Sequence, residues 1–176
     1  MNKKKVYLIY DFLTEAGGLE RLMAMHGKAL QNAGYEVKLL FGCVNPELAK
    51  EDVFDGLEVV DFSKIEGGEI RKILHNMLGH NKIRDYSDAD CIVSYSFPSN
   101  MLIKNLKCKK VMYMNHYPNF LYLPLKDRLT WIDSPKRAMS VFTGFLGGSF
   151  LKRIDKKLTE DLDLVFIQNC LYLCEN

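Results

Sequence analysis

Long uncharged runs are the first feature that this sequence lacks. No stretch approaches the roughly 18 consecutive apolar residues that a membrane-spanning helix needs. The apolar run at residues 6–10, behind a charged start, is too short for the core of a signal peptide and stops at Asp11. We therefore interpret this run as a first strand, and we expect a cytoplasmic protein that is either in solution or peripheral on a membrane.

The chain also lacks an excess of charge of either sign. Its 24 Lys and Arg residues nearly balance 22 Asp and Glu residues, which gives a formal net charge of +2. This balance gives no reason to expect a nucleic acid partner. With 48% apolar residues over 176 positions, the sequence predicts a single domain at residues 1–176 that buries one core.

The cysteines do not have the spacing of a metal site or a disulfide framework. The five cysteines are scattered, and most adjoin apolar runs, so we expect buried free thiols. Cys170 and Cys174 have a helical spacing, but no second pair with metal-ligand spacing accompanies them. We assign no metal.

Short apolar runs alternate with helix-like stretches along the whole chain. They predict strands at about 5–10, 36–41, 57–61, 90–94, 110–114 and 163–167. Because several runs are apolar almost throughout, we expect these strands to be buried on both faces. The pattern predicts an α/β domain of three α/β/α layers, Rossmann-like, with a mostly parallel sheet.

The segment after the first strand gives the clearest helical pattern. Apolar residues recur at spacings of three and four from Leu19 to Ala33, and Gly34 follows as a helix-ending residue. His26 lies on the apolar stripe, where a packed, hydrogen-bonded core histidine is more common than a ligand. The open side of this helix is expected to carry Glu20, Arg21, Lys28 and Gln31.

Gly17 and Gly18 stand where the first strand turns into that helix. Two glycines let the backbone approach a ligand closely, and a helix N-terminus offers free N–H groups and partial positive charge to a phosphate. The motif lacks the Gly-Lys-Ser/Thr ending of a P-loop and the Gly-x-Gly-x-x-Gly of a dinucleotide site. Two interpretations stay open, an anion cradle and a tight structural turn.

Polar residues also follow later strands, and open parallel sheets bind ligands beyond the carboxyl ends of their strands. His116 follows the fifth strand beside a proline. The fourth strand leads into Ser94, Tyr95 and Ser96, whose hydroxyls suit sugar or acceptor binding. Ser99 is equally suited to capping the next helix.

Taken in order, these elements resemble the opening of family-4 GT-B glycosyltransferases. That family begins with Gly-Gly-x-Glu, a helix and a Gly-His-Glu-Val-like second strand. This chain has Gly-Gly-Leu-Glu at 17–20, a helix, and Gly-Tyr-Glu-Val at 34–37, with tyrosine in place of histidine. Its His-Tyr-Pro at 116–118 is similar to that of dolichol-linked oligosaccharide mannosyltransferases. The last strand ends in Gln-Asn-Cys at 168–170, which resembles the family's Asn-Ser with cysteine in place of serine.

The resemblance implies the N-terminal half of a GT-B fold, the acceptor-side domain of a retaining, metal-independent glycosyltransferase that uses no cofactor. The nucleotide-sugar donor would bind mainly to a C-terminal donor-binding domain that this chain does not contain, so the isolated chain is expected to be inactive. The resemblance makes His116 a candidate catalytic residue and assigns phosphate or substrate binding to Gly17, Gly18 and Glu20. The acceptor, a glycan or a lipid-linked sugar, would contact Ser94, Tyr95, Ser96, Asn115, Tyr117 and Asn169.

A stand-alone, flavodoxin-like binding or interaction module without catalysis is the alternative. It would use Gly17-Gly18 only as a turn. It would use the segment 120–157 as its docking surface.

The segment 120–157 is unlike the rest of the chain. It combines aromatic residues with eight Lys or Arg and only three Asp, a local net charge of +5. We interpret it as a helical insertion. Such a segment can contact an anionic lipid surface peripherally, or pack on the sheet and leave its charged side to water, and both interpretations stay open.

Overall fold

The computed structural model describes residues 3–15, 17–63, 71, 82–115, 118–130, 132–133 and 135–167. These residues form a six-stranded, all-parallel sheet in the order β3-β2-β1-β4-β5-β6. The six strands lie within one residue of the predicted bounds, and the Rossmann-like α/β class is confirmed. They are β1 (Lys5–Tyr10), β2 (Glu36–Phe41), β3 (Glu58–Asp61), β4 (Cys91–Ser94), β5 (Lys109–Met114) and β6 (Leu164–Ile167).

The central strand β1 is apolar almost throughout because both of its faces are buried. It pairs with β2 on one side and with β4 on the other. Leu8 and Ile9 point to opposite faces of the sheet, as neighbours in a strand do, and both are fully buried. Leu8 belongs to one core cluster and Ile9 to another. Each face therefore carries its own apolar core.

Helix α1 (Gly18–Asn32) covers the face that contains Leu8. It packs so closely against its neighbours that a Cβ on Gly27 would lie 3.1 Å from a methyl carbon of Leu57. The helix ends as predicted. Gly34 has a φ of 92°, and the N–H groups of Gly34 and Tyr35 donate to the carbonyls of Gln31 and Leu30 in a Schellman motif.

Helix α2 (Phe97–Ile103) contributes to the opposite core, where Ile103 packs with Ile9. Helices α1 and α2 lie on opposite faces of the sheet. The chain moves from β1 to β2 toward one edge of the sheet and from β4 to β5 toward the other edge. Because both crossovers are right-handed, opposite directions place the two helices on opposite faces. The cap of α2 is Ser96, whose hydroxyl oxygen accepts a hydrogen bond from the Ser99 N–H over 3.1 Å. The capping role that the sequence suggested for Ser99 thus belongs to Ser96.

The segment between β5 and β6 is helical, as predicted, with α3 (Asn119–Tyr122), α4 (Leu125–Thr130) and α5 (Pro135–Glu160). Helix α5 meets α3 so closely that a Cβ on Gly144 would lie 2.1 Å from the Phe120 carbonyl oxygen. A third core cluster of Phe97, Leu121 and Leu158 joins α2, α3 and α5. Within the described residues, no helix is long and apolar enough to cross a membrane.

Candidate functional site

The loops after β1 and β4 diverge at the point where the strand order reverses. The chain runs from β1 toward one edge of the sheet and from β4 toward the other, which leaves a crevice between their carboxyl ends. Asp11 follows β1, while Ser96 and Ser99 follow β4. The Ser99 hydroxyl donates a hydrogen bond to Asp11 Oδ1 over 3.1 Å, and Ser96 Oγ lies 2.8 Å from Ser99 Oγ. These hydrogen bonds hold the two loops together.

Asp11 is the titratable group at the centre of this crevice. Burial raises the pKa of Asp11 to about 6, although hydrogen bonds from Ser96 and Ser99 act in the opposite direction. A carboxyl group with such a pKa is partly protonated near neutral pH and can accept or donate a hydrogen bond. Sequence analysis did not select Asp11. The available signal was its place directly after an apolar strand.

The side chain of Glu20 folds back over Gly17 at the start of α1. A Cβ on Gly17 would lie 2.5 Å from Glu20 Oε2, so the glycine leaves room for the carboxylate. Burial raises the pKa of Glu20, and a hydrogen bond from its own backbone N–H opposes that rise. The prediction that Glu20 faces solvent was wrong, since only 9% of the residue is exposed.

This position of Glu20 changes the interpretation of the glycine motif. The Glu20 carboxylate lies over Gly17 at the helix N-terminus, where a phosphate would have to approach the free N–H groups. Burial raises the pKa of Tyr10, and the nearby charges of Asp11, Glu20 and Glu15 raise it further. The crevice is thus an acidic, hydroxyl-bearing environment, which favours a neutral ligand rich in hydroxyl groups over a free anion.

The other predicted site residues are distributed differently. Ser94 is fully buried, and its hydroxyl donates to Asn100 Oδ1 and, over 3.4 Å, to the Val111 carbonyl. It therefore holds β4 to its neighbours and does not face the crevice. Asn115 follows β5 and is half-buried. Gly18 begins α1, and a Cβ there would meet no described atom within 4 Å. The predicted residues His116, Tyr117 and Asn169 lie outside the described residues.

Tyr95 belongs to an aromatic cluster beneath α1. Its hydroxyl oxygen lies 2.7 Å from His26 Nδ1, and the ring of Tyr113 meets the ring of His26 edge-on at 4.9 Å. These contacts confirm the prediction of a packed, hydrogen-bonded histidine, and burial lowers the pKa of His26. An apolar cavity of about 410 Å³ opens beside this cluster, where Val93, Val111 and Phe166 also line it. Tyr95 thus faces this cavity.

Three cysteines fall within the described residues, Cys43, Cys91 and Cys108, and none of the three is in a disulfide. Cys43 is buried and the other two are half-buried. In the part of the chain that the structure describes, no three His, Cys, Asp or Glu side chains are grouped as a metal site requires.

Comparison of this chain with protein families, with curated proteins and with solved structures finds no match. The interpretation of the crevice therefore depends on its own geometry and on the sequence motifs at its rim.

Proposed function

We propose that this chain is the acceptor-side domain of a glycosyltransferase, in which it holds a glycan or lipid-linked acceptor. The observation that carries the proposal is the cluster of Asp11, Glu20, Ser96 and Ser99 at the switch point of the sheet. Carboxylates and hydroxyls are the groups that form hydrogen bonds with sugar hydroxyls. The Gly-Gly-x-Glu motif that shapes this crevice supports the same class of enzyme.

The residues of the crevice divide into two roles under this proposal. Asp11 accepts a hydrogen bond from an acceptor hydroxyl and orients it, because its carboxyl is held by Ser99 on one side. Gly17 and Glu20 form the wall, where the absence of a Cβ on Gly17 admits the Glu20 carboxylate. His116 stays the candidate for contact with the donor sugar. Transfer would be retaining and metal-independent, with the nucleotide-sugar bound mainly by a separate domain.

A cytoplasmic location is part of the proposal. The described cysteines Cys43, Cys91 and Cys108 are not in disulfides. Free thiols suit a reducing compartment better than an oxidising one.

An NMR titration of the ¹⁵N-labelled chain tests the ligand class. The probes are a series of methyl glycosides, UDP, and inorganic phosphate. We expect a methyl glycoside to shift the N–H signals of Gly17, Gly18, Ser96 and Ser99, and phosphate to shift them much less. Phosphate shifts as large as the saccharide shifts at Gly17 and Gly18 would restore the anion cradle and contradict an acceptor site.

A transfer assay of the protein extended by its donor-binding domain tests catalysis. Gly17→Val places a branched side chain where Glu20 Oε2 now lies, and His116→Ala removes the candidate catalytic imidazole. Both variants are expected to lose transfer by at least about tenfold, which corresponds to about 1.4 kcal/mol of transition-state stabilisation. Unchanged rates in both variants would remove these residues from the site.

The alternative, a binding module without catalysis, is favoured by one observation. The Glu20 carboxylate occupies the space beside Gly17 at the start of α1, which gives Gly17 a sufficient structural reason. The saccharide titration separates the two functions. Saccharide shifts confined to surfaces away from Asp11 and Gly17 would favour the module.

A further inference from the structure

Helix α5 exposes a stripe of four large apolar side chains, Phe142, Phe145, Leu146 and Phe150, which we call the α5 apolar stripe. These residues are 62%, 66%, 69% and 67% exposed. Their spacings of three and four place them on one side of the helix. The other side faces the protein, since Gly144 contacts Phe120 and Leu158 is buried in the third core cluster. Contiguous exposed apolar surface of this kind marks an interaction site.

Basic residues flank the stripe at both ends. The segment 138–151 contains no charged residue. Lys136 and Arg137 precede it, and Lys152, Arg153, Lys156 and Lys157 follow it. A groove of about 480 Å³ beside the stripe is lined by Phe145, Leu146 and Phe150 together with Arg128 and Lys152. Apolar and basic side chains therefore share one surface.

Acidic residues neutralise this surface only in part, since Lys156 lies 3.9 Å from Glu160. Asp155 is buried and accepts a hydrogen bond from the Tyr122 hydroxyl over 2.6 Å. Asp133 forms an ion pair with Arg137. Residues 120–157 carry a net charge of +5, whereas the whole chain carries only +2. The rest of the molecule is thus net negative, and the positive charge is concentrated around α5.

This combination fits an anionic lipid surface better than a second copy of the chain. In a symmetric pair, two surfaces of +5 would face each other and repel. At a membrane, aromatic and aliphatic side chains enter the boundary between headgroups and acyl chains, while flanking Lys and Arg remain among anionic headgroups. Leu125 and Leu129 of α4, 50% and 57% exposed, add apolar surface from a neighbouring helix.

We propose that α5 docks this chain on anionic membranes, with the α5 apolar stripe inserted in the interface and the basic flanks against the headgroups. The helix lies along the membrane and does not cross it. The proposal goes beyond sugar transfer and does not depend on it. If both proposals hold, docking would bring the crevice to a lipid-linked acceptor.

Vesicle flotation of the full chain tests the proposal. The vesicles contain phosphatidylcholine with or without phosphatidylglycerol. We expect at least about tenfold tighter binding to the vesicles with phosphatidylglycerol, and weaker binding as salt rises, because the basic flanks are screened. Equal binding to both vesicle types, or no binding to either, would overturn the proposal. Self-association of the chain without vesicle binding would assign the stripe to a second copy.

Paired variants separate insertion of the α5 apolar stripe from non-specific adsorption of exposed apolar side chains. Phe145→Ser combined with Phe150→Ser removes two exposed rings and is expected to weaken vesicle binding by at least about tenfold. The matched control is Met25→Ser, which removes an apolar side chain that is 63% exposed on α1. It should leave vesicle binding unchanged. Since Phe145, Phe150 and Met25 all face water, the midpoints of thermal unfolding of both variants should stay close to that of the unmodified chain. An equal loss in the control and the double variant would overturn the proposal.

Discussion

The crevice and the α5 surface differ in the properties that determine what each can bind. The crevice is acidic, and hydrogen bonds such as that from Ser99 to Asp11 fix its geometry. The α5 surface is broad and basic, and it exposes Phe145 and Phe150 to water. Fixed polar groups discriminate among small ligands, whereas exposed apolar groups with basic flanks bind an extended surface. Under the two proposals, recognition of the acceptor and location at a membrane are separate tasks of two regions of the chain.

The largest expected effect tests the distinction between the two sides of α5. Gly144→Ala would place a Cβ 2.1 Å from the Phe120 carbonyl oxygen, a backbone atom that cannot move without shifting α3. We expect a loss of about 3 kcal/mol in the free energy of unfolding. Gly148→Ala is the matched control, because its Cβ would meet no described atom within 4 Å. It should stabilise by about 0.5–1 kcal/mol through helix propensity. Urea unfolding measures both, and equal effects would contradict the packing of α5.

The second effect tests the acidity of the crevice. The pKa of Asp11 is raised from 3.8 to about 6 in the folded chain. Between those values the folded state binds more protons than the unfolded state, so this group's contribution to stability falls as pH rises through that window. We expect a fall of about 2 kcal/mol, which Asp11→Asn should abolish. Urea unfolding at a series of pH values checks this, and an unchanged slope in Asp11→Asn would contradict the burial of this carboxyl.

The third effect tests the role of Gly17. Gly17→Ala would displace the Glu20 carboxylate, which lies 2.5 Å from the new Cβ, from its place beside the free N–H groups at the start of α1. We expect a loss of about 1 kcal/mol in the free energy of unfolding. Gly18→Ala, whose Cβ would meet no described atom within 4 Å, should be neutral or slightly stabilising. The opposite order of the two variants in urea unfolding would show that Glu20 does not cap α1.

The smallest effect concerns the aromatic cluster away from both surfaces. Tyr95→Phe removes the hydroxyl that lies 2.7 Å from His26 Nδ1. Because the ring remains, we expect a loss of about 0.5–1 kcal/mol in the free energy of unfolding. Saccharide and vesicle binding should not change. A loss of saccharide binding in this variant would extend the crevice to Tyr95, as the sequence had suggested.

The strands could be predicted from the sequence because their cause is local. An apolar run that ends at a polar residue, such as residues 6–10 before Asp11, is sufficient to place a buried strand. The end of α1 was predictable for the same reason, since Gly34 takes a positive φ that favours glycine. The charge of the segment 120–157 was equally visible in its composition.

The details of the site depend on contacts that are distant in sequence. Asp11 is desolvated beside Ser99, which lies 88 positions later in the chain. Helical periodicity placed Glu20 toward water, but the missing Cβ of Gly17 lets that side chain fold back over the helix end. Likewise, the contact of Gly144 with Phe120 determines which side of α5 faces water. No local pattern contains these contacts.

The most direct test of the central claim is the affinity of the chain for a methyl glycoside in two matched variants. Asp11→Asn alters the crevice. Asp61→Asn alters a similar aspartate at the end of β3, two strands away, which accepts a hydrogen bond from the Ser63 hydroxyl over 2.6 Å. The account predicts about tenfold weaker binding in Asp11→Asn, the worth of one hydrogen bond to a charged group, and unchanged binding in Asp61→Asn. Equal affinities in the two variants would contradict an acceptor site between β1 and β4.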